Sequence, residues 1–219
     1  MSVDNCEICA LHAGPGMRPV LYVDDLFFIV PSLGPLHPHH LLICSRQHRT
    51  GLHQMTDSEL LGLGIICESL GRVFSRIHSQ TFLMFENGTS ESGKGGCSIS
   101  HYHMHVVPMA RHFESARDPV AFRALPVQSL TEARTMALKY GDYIYLKRPG
   151  RTGTIASRAG LPSQYMRKIV AELNDVGEWD WRKSPAPSDW REEREFLYPL
   201  SEALRQEVQL HGNHNMVAA

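Results

Sequence analysis

The run Ile99-Ser100-His101-Tyr102-His103-Met104-His105-Val106-Val107-Pro108 places a histidine at every second position. Period two is the repeat of a β-strand, so the three imidazoles share one face while Tyr102, Met104 and Val106 share the other. Histidine has little intrinsic preference for strands. Three stacked on one face, between apolar Ile99 and Val106-Val107, therefore signal chemistry rather than a solvated surface. Two chemistries fit imidazoles so arranged: metal ligation, and the binding and nucleophilic attack of phosphate.

On the N-terminal side of this run, strand and helix signals alternate. Residues 20–30 read as two short strands around Asp24-Asp25, residues 31–38 as a Pro/Gly loop, and Leu41-Leu42-Ile43 as a short buried strand. Thr56-Asp57-Ser58-Glu59 has the pattern of a capping box opening a long helix, whose Leu60, Leu63, Ile66, Cys67, Leu70 and Phe74 follow helical spacing. Residues 81–85 return as a strand, and residues 86–96 form a polar, Gly-rich loop.

Beyond His112 the pattern changes. Residues 118–125 and 131–138 read as short helices, 143–147 as a strand and 148–153 as a basic turn. Ser163 stands where a helix N-cap would, ahead of an apolar stripe of Tyr165, Ile169, Val170 and Leu173. Residues 183–189, with two prolines, read as a linker. A last helix is expected over 190–210, interrupted at Pro199, with a frayed tail after it.

Bulk properties narrow the class. The chain has 219 residues and a net charge of −1 with neutral histidines, so no global electrostatic case for nucleic acid or membrane arises. No apolar run is long enough for a membrane span, and the N-terminal residues lack a secretory pattern. Five cysteines, an odd count, do not make a disulfide framework, so a reducing, cytoplasmic setting is expected.

Cys6-x-x-Cys9 is a thiolate pair that can hold two corners of a tetrahedral zinc. The remaining ligands are open: His12, His48 and His101 are candidates. A disulfide, or two buried cysteines in an N-terminal knuckle, are the alternatives.

Taken together, these residues resemble the histidine-triad (HIT) superfamily of nucleotidyl hydrolases and transferases. The family signature His-φ-His-φ-His-φ-φ, with φ apolar, is similar to His101 through Val107. The strand with its following Gly-rich loop, the long helix, and Pro38-His39-His40-Leu41-Leu42-Ile43-Cys44-Ser45-Arg46-Gln47-His48 match as well. The resemblance implies an α+β, HIT-like fold with an antiparallel sheet and a long helix. It divides the chain into a catalytic domain over 1–113 and a mixed α/β C-terminal extension over 114–219, packed on it.

Carried over residue by residue, the resemblance to zinc-carrying members implies a structural zinc on Cys6, Cys9, His48 and His101. It implies that His103 is the nucleophile, attacking the α-phosphorus of a nucleotide conjugate to form a covalent nucleotidyl-histidine. His105 and Ser98 would contact the phosphate, and His40 would lie near it. His105, where transferring branches carry Gln, favours hydrolysis. Ser32 stands where many members have a ribose-binding Asp, which puts nucleoside affinity in doubt. Asn87 or Glu86 is expected to contact the substrate, which is a small nucleotide-containing molecule: a phosphoramidate, a dinucleoside polyphosphate or an adenylated metabolite.

The extension resembles the tail of Cwf19-like HIT-related proteins around residues 163–182. On physical grounds the start of the helix after Ser163 is an anion site within reach of Gln164, Arg167 and Lys168. Lys147, Arg148 and Arg151 form a second basic patch. A homodimer is the expected assembly, with a monomer completed by the extension as the alternative. Other readings are a transferase or phosphorylase, a nucleotide-binding protein without turnover, an enzyme acting on nucleic-acid ends, and a metalloenzyme with an open zinc. Neutral net charge weighs against the nucleic-acid reading.

Overall fold

A computed structural model describes residues 6–13, 18–77, 81–89, 99–111, 113, 124–184 and 191–216. Its centre is an eight-stranded sheet in the order β1-β2-β3-β5-β4-β7-β8-β6, with every pairing antiparallel. The strands are β1 (Tyr22–Val23), β2 (Phe27–Pro31), β3 (Leu41–Ser45), β4 (Phe82–Gly88), β5 (His103–Pro108), β6 (Leu125–Val127), β7 (Tyr143–Lys147) and β8 (Gly153–Ser157). The fold is mixed α/β on an antiparallel sheet, as the sequence implied.

The long helix α2 (Asp57–Ile77) covers one face. Its start is the expected capping box: Thr56 Oγ1 accepts from the Glu59 N–H at 3.2 Å, and Glu59 Oε2 accepts from the Thr56 N–H at 2.7 Å. Leu60, Leu63, Ile66, Leu70 and Phe74 are buried against Ile43, Met84, Tyr102, Met104 and Val106 in one apolar cluster. A fully buried side chain of this kind contributes about 1.5–3 kcal/mol, so this stripe anchors the sheet. α5 (Arg191–Met216) packs outside it through Leu197, Leu200 and Leu204.

The opposite face is covered in two places. α1 (Glu7–Ala13) brings Cys6 and Ile8 onto Phe28, Val30, Leu42 and Cys44. α4 (Tyr165–Leu173) brings Met166, Val170 and Leu173 onto Leu36, Leu83, Phe85 and Val107. The even-numbered β5 side chains thus face α2, and the odd-numbered histidines face the side of α1 and α4.

Several expectations change. Gly153, read as the end of a turn, opens β8 (Gly153–Ser157), a strand not expected from the sequence, because Ile155 and Ala156 pair into the sheet through β7. Leu125 lies in β6, and residues 118–123 of the expected helix fall outside the described residues, as do most of the 183–189 linker, Ser98, Gly93, Gly95 and Gly96; residues 86–88, read as the start of that loop, continue β4. The helix α3 (Leu130–Tyr140) forms, capped by Ser129. The last helix runs through Pro199 instead of breaking there. The α4 helix is not capped by Ser163: its N-cap is Gln164, in the left-handed region at φ 57 and without a side-chain cap bond.

β7 lies directly on β4 along Met84 to Gly88, so the sheet continues from the triad segment into the residues beyond 113. No described helix is long and apolar enough to cross a membrane.

Candidate active site and metal centre

β5 delivers His103 and His105, and His101 sits in the bend just before it. His103 stands opposite Cys44 on β3, and His105 stands opposite Leu42 on β3 and Phe85 on β4. All three histidines are buried, at 2–8% exposure. The ring of Phe85 stacks on His105, with centroids 4.4 Å apart and planes 11° from parallel. That contact fixes the imidazole plane, and Phe85 was not singled out in the sequence because a strand phenylalanine reads as core.

The hydrogen bonds determine which nitrogens carry protons. A carbonyl can only accept, so His103 Nδ1, 2.7 Å from the His101 carbonyl, holds the proton. The lone pair of His103 is then on Nε2, as nucleophilic attack requires. A backbone amide can only donate, so His40 Nδ1 accepts from the Leu36 N–H at 3.0 Å. Neutral His40 therefore carries its proton on Nε2, which lies 2.9 Å from His105 Nδ1. His105 in turn accepts at Nδ1 and carries its own proton on Nε2. Burial holds His40 and His105 well below the ordinary histidine range, helped by the neighbouring histidines and the Arg167 guanidinium, so both are neutral at pH 7.

The metal candidates also converge. Cys6 Sγ and Cys9 Sγ lie 3.4 and 3.3 Å from His101 Nδ1, and Cys9 Sγ lies 3.3 Å from His48 Nδ1. All four donor atoms fall within 4.8 Å of one another. Zinc bonds of about 2.3 Å to sulfur and 2.0–2.1 Å to nitrogen put tetrahedral ligand atoms roughly 3.5 Å apart, so these spacings suit that ion. His101 Nε2 donates to the Ser45 carbonyl at 2.7 Å, which leaves the Nδ1 lone pair facing the thiols. Burial pushes His101 down to about 4 and the Cys9 thiol up to about 11, the latter with help from Cys6. His12 has its side chain outside the described residues. His101 joins the two sites: its ring faces the cysteines, and its carbonyl sets the tautomer of His103.

The remaining candidates separate. Ser32 is buried beside the His40 loop, its N–H donating to the His40 carbonyl at 2.9 Å. Asn87 is half-buried and shares the sheet face of Phe85 and the triad. Glu86 does not: the strand pleat turns it to the opposite face, where Oε1 accepts from the Tyr143 hydroxyl at 2.8 Å. It is therefore a core carboxyl and not a substrate contact. The anion site at the start of α4 does not form as expected. Gln164 is buried and donates to Asp180 Oδ1 at 2.8 Å, and Lys168 is exposed. Arg167 is buried at 3% exposure, donating from Nη2 to the Gly34 carbonyl at 2.6 Å and from Nε to the Trp179 carbonyl at 2.9 Å.

Comparison with known proteins agrees with this geometry. Residues 17–112 match the HIT domain family model, and the match stops short of the extension. A curated relative, the bifunctional bis(5′-adenosyl)-triphosphatase/adenylylsulfatase FHIT of Arabidopsis thaliana, is 25% identical over 91 residues, 42% of this chain and 49% of that protein. The chain thus spans about half the length of that relative. Among solved structures, a zinc-bound histidine triad family protein from Mycobacterium smegmatis is 21% identical, covering 63% of this chain and 96% of its own, with a TM-score of 0.40. A hypothetical protein from Leishmania major is 19% identical, covering 63% and 94%, with a TM-score of 0.46. Residues 17–112, with His103 and His105 alternating on β5, His101 just before them and a fourth histidine bonded to the last of them, are similar to the HIT domain family.

Proposed function

We propose that this protein is a nucleotidyl hydrolase that cleaves a nucleotide conjugate at its α-phosphorus and releases the nucleoside monophosphate. The observation that carries the reading is the His103 Nδ1 bond to the His101 carbonyl, because it holds the ring proton on Nδ1 and so assigns the lone pair to Nε2. In the first step that pair forms an N–P bond, and the P–O or P–N bond to the leaving group breaks with its electrons on the leaving group, which takes a proton from solvent when it is an amine. In the second step water forms a P–O bond, the N–P bond breaks, and the pair returns to His103 Nε2 while the water's second proton passes to solvent. His105 donates a hydrogen bond from Nε2 to the phosphate oxygen on which charge accumulates. The dinucleoside polyphosphate and adenylyl sulfate named for the Arabidopsis relative are the first conjugates to try.

Cys6, Cys9, His48 and His101 would hold a zinc ion. With four protein ligands and no open position, the ion's contribution is structural. The reading predicts that it fixes the N-terminal helix α1 to the start of the triad strand.

The test is release of nucleoside monophosphate from a panel of dinucleoside polyphosphates, adenylyl sulfate and nucleoside phosphoramidates, with intact mass measured on quenched enzyme. Wild type is expected to turn over at least one class and to show a nucleotidyl adduct. His103→Ala is expected to lose turnover by at least about 10³-fold and to show no adduct. Equal turnover by wild type and His103→Ala would overturn the reading, and an adduct discharged only by an added acceptor would make the protein a transferase.

A further inference from the structure

We infer that the segment beyond residue 113 sets the working tautomer of His105, through Asn174 and Arg167 acting on the loop that carries His40. The inference rests on the proposed role of His105, but its first test does not need turnover.

The chain of contacts is continuous. Asn174, just after α4, donates from Nδ2 to the Leu36 carbonyl and to the Pro108 carbonyl, each at 2.9 Å. Its Oδ1 accepts from the Ala110 N–H at 2.8 Å. One amide thus ties the His40 loop to the end of β5, the strand that bears His103 and His105. Leu36, held by its carbonyl, aims its N–H at His40 Nδ1. His40 passes the constraint from Nε2 to His105 Nδ1. Arg167 holds the same loop two residues earlier, at the Gly34 carbonyl. Trp181 seats against Gly34 so closely that a Cβ there would lie 2.8 Å from the Trp181 backbone.

Without these tethers, nothing in the pair selects a tautomer. Two neutral imidazoles joined by one hydrogen bond have two arrangements, with the shared proton on either ring. The Leu36 N–H selects the one that leaves His105 Nε2 protonated, because the other would place an N–H of His40 against an N–H of the backbone. In the rejected arrangement His105 would present a lone pair to an anionic phosphate. Asn174 and Arg167 touch no reacting atom; they are positioning residues.

The experiment uses the full chain, labelled with ¹⁵N, and reads imidazole tautomers from long-range ¹H–¹⁵N spectra. Wild type is expected to show His40 and His105 as single Nε2–H tautomers and His103 as Nδ1–H. Asn174→Leu fills the space but makes no hydrogen bond. It is expected to give mixed tautomers at His40 and His105 with His103 unchanged, and to lower kcat about tenfold while KM moves less than about twofold. Arg167→Lys, which keeps the charge but not the paired donors, serves if Asn174→Leu does not fold. Unchanged tautomers at His105, or a change at His103 as large as that at His105, would overturn the inference. Failure of wild type to turn over any conjugate would refute the hydrolase reading and leave the spectra to decide this one.

An independent observation lies across the sheet. A cleft of about 550 Å³ between α2 and the β7–β8 turn is lined by Arg72, Arg76, Lys147, Arg148 and Arg151, with Phe82 and Met84 among its apolar lining. Glu68 is the sole carboxylate among the lining residues, and Glu207 pairs with Arg72 and Arg76 from α5. Cations therefore exceed carboxylates, and Arg72 Nη2 is buried with no hydrogen-bond acceptor among the described residues. We propose that this cleft binds a phosphorylated small molecule; its volume falls in the range of about 300–1,000 Å³ usual for such ligands.

Calorimetry with inorganic tripolyphosphate and with ATP tests it. Binding to the Arg148→Glu/Arg151→Glu double variant is expected to weaken at least about tenfold, with Lys139→Glu near wild type. No binding, equal binding by wild type and double variant, or equal weakening by Lys139→Glu would overturn the proposal.

Discussion

Replacing Glu86 by Gln should remove a pH dependence from the stability of this fold. Glu86 is 2% exposed on the α2 face of β4, and burial pushes its carboxyl from 4.5 up to about 8, against a partial pull from the Tyr143 hydroxyl. The folded chain therefore keeps a proton that the unfolded chain releases. Its stabilising contribution is complete below the unfolded value and is lost as pH rises through about 8. Within that window stability falls by about 1.4 kcal/mol per pH unit, or ~3 kcal/mol between about pH 5 and about pH 7. Gln carries no such proton, yet its amide oxygen can still accept from Tyr143. Urea unfolding of both proteins at the two pH values isolates the effect, because all other titrating groups cancel in the difference. Glu86→Gln is expected to gain ~3 kcal/mol on wild type over that interval. A difference between the two proteins that stays constant within about 0.5 kcal/mol would mean that Glu86 is ionised in the fold, and the burial argument would fail.

Further outcomes follow from single contacts. Thr56→Ala removes the hydroxyl that accepts from the Glu59 N–H and should cost about 1 kcal/mol in denaturant unfolding, with turnover unchanged. Gly88→Ala would drive a methyl into the buried ring of Tyr143, whose hydroxyl accepts from the Leu52 N–H at 2.6 Å, so a loss of about 1–3 kcal/mol is expected as a lower thermal midpoint. Purified protein should carry one zinc per chain by metal analysis, and chelation should lower the thermal midpoint. Cys9→Ser should lose the metal, whereas His103→Ala should keep it. Zinc retained at one per chain by Cys9→Ser would exclude the four-ligand site.

What was legible in the sequence is what local periodicity and short motifs encode. The alternation specified the common face of His103 and His105, since a β-strand returns to the same side at every second residue, whereas His101 lies in the bend before that strand. The Thr56–Glu59 box and the Leu60-to-Phe74 stripe specified where α2 begins and which side it buries, because both act within a few residues along one helix. The four metal candidates were legible too, through resemblance rather than through spacing: Cys9 and His48 meet across 39 positions.

Tertiary structure alone decided the rest. Glu86 and Asn87 are adjacent in the chain, and only the pairing of Phe85 with His105 assigns Asn87 to the triad face and Glu86 to the core. β8 was hidden because Gly153-Thr154-Ile155-Ala156-Ser157 is too short to carry a period and gains its identity from β7. Pro199 reads as a helix breaker, yet the helix continues through it, with Leu197 and Leu200 buried on either side. The proton positions on His40 and His105 depend on Leu36, and through it on Asn174, 138 residues away. Such a constraint leaves no local pattern, because the groups that enforce it become neighbours only when α4 packs onto the sheet.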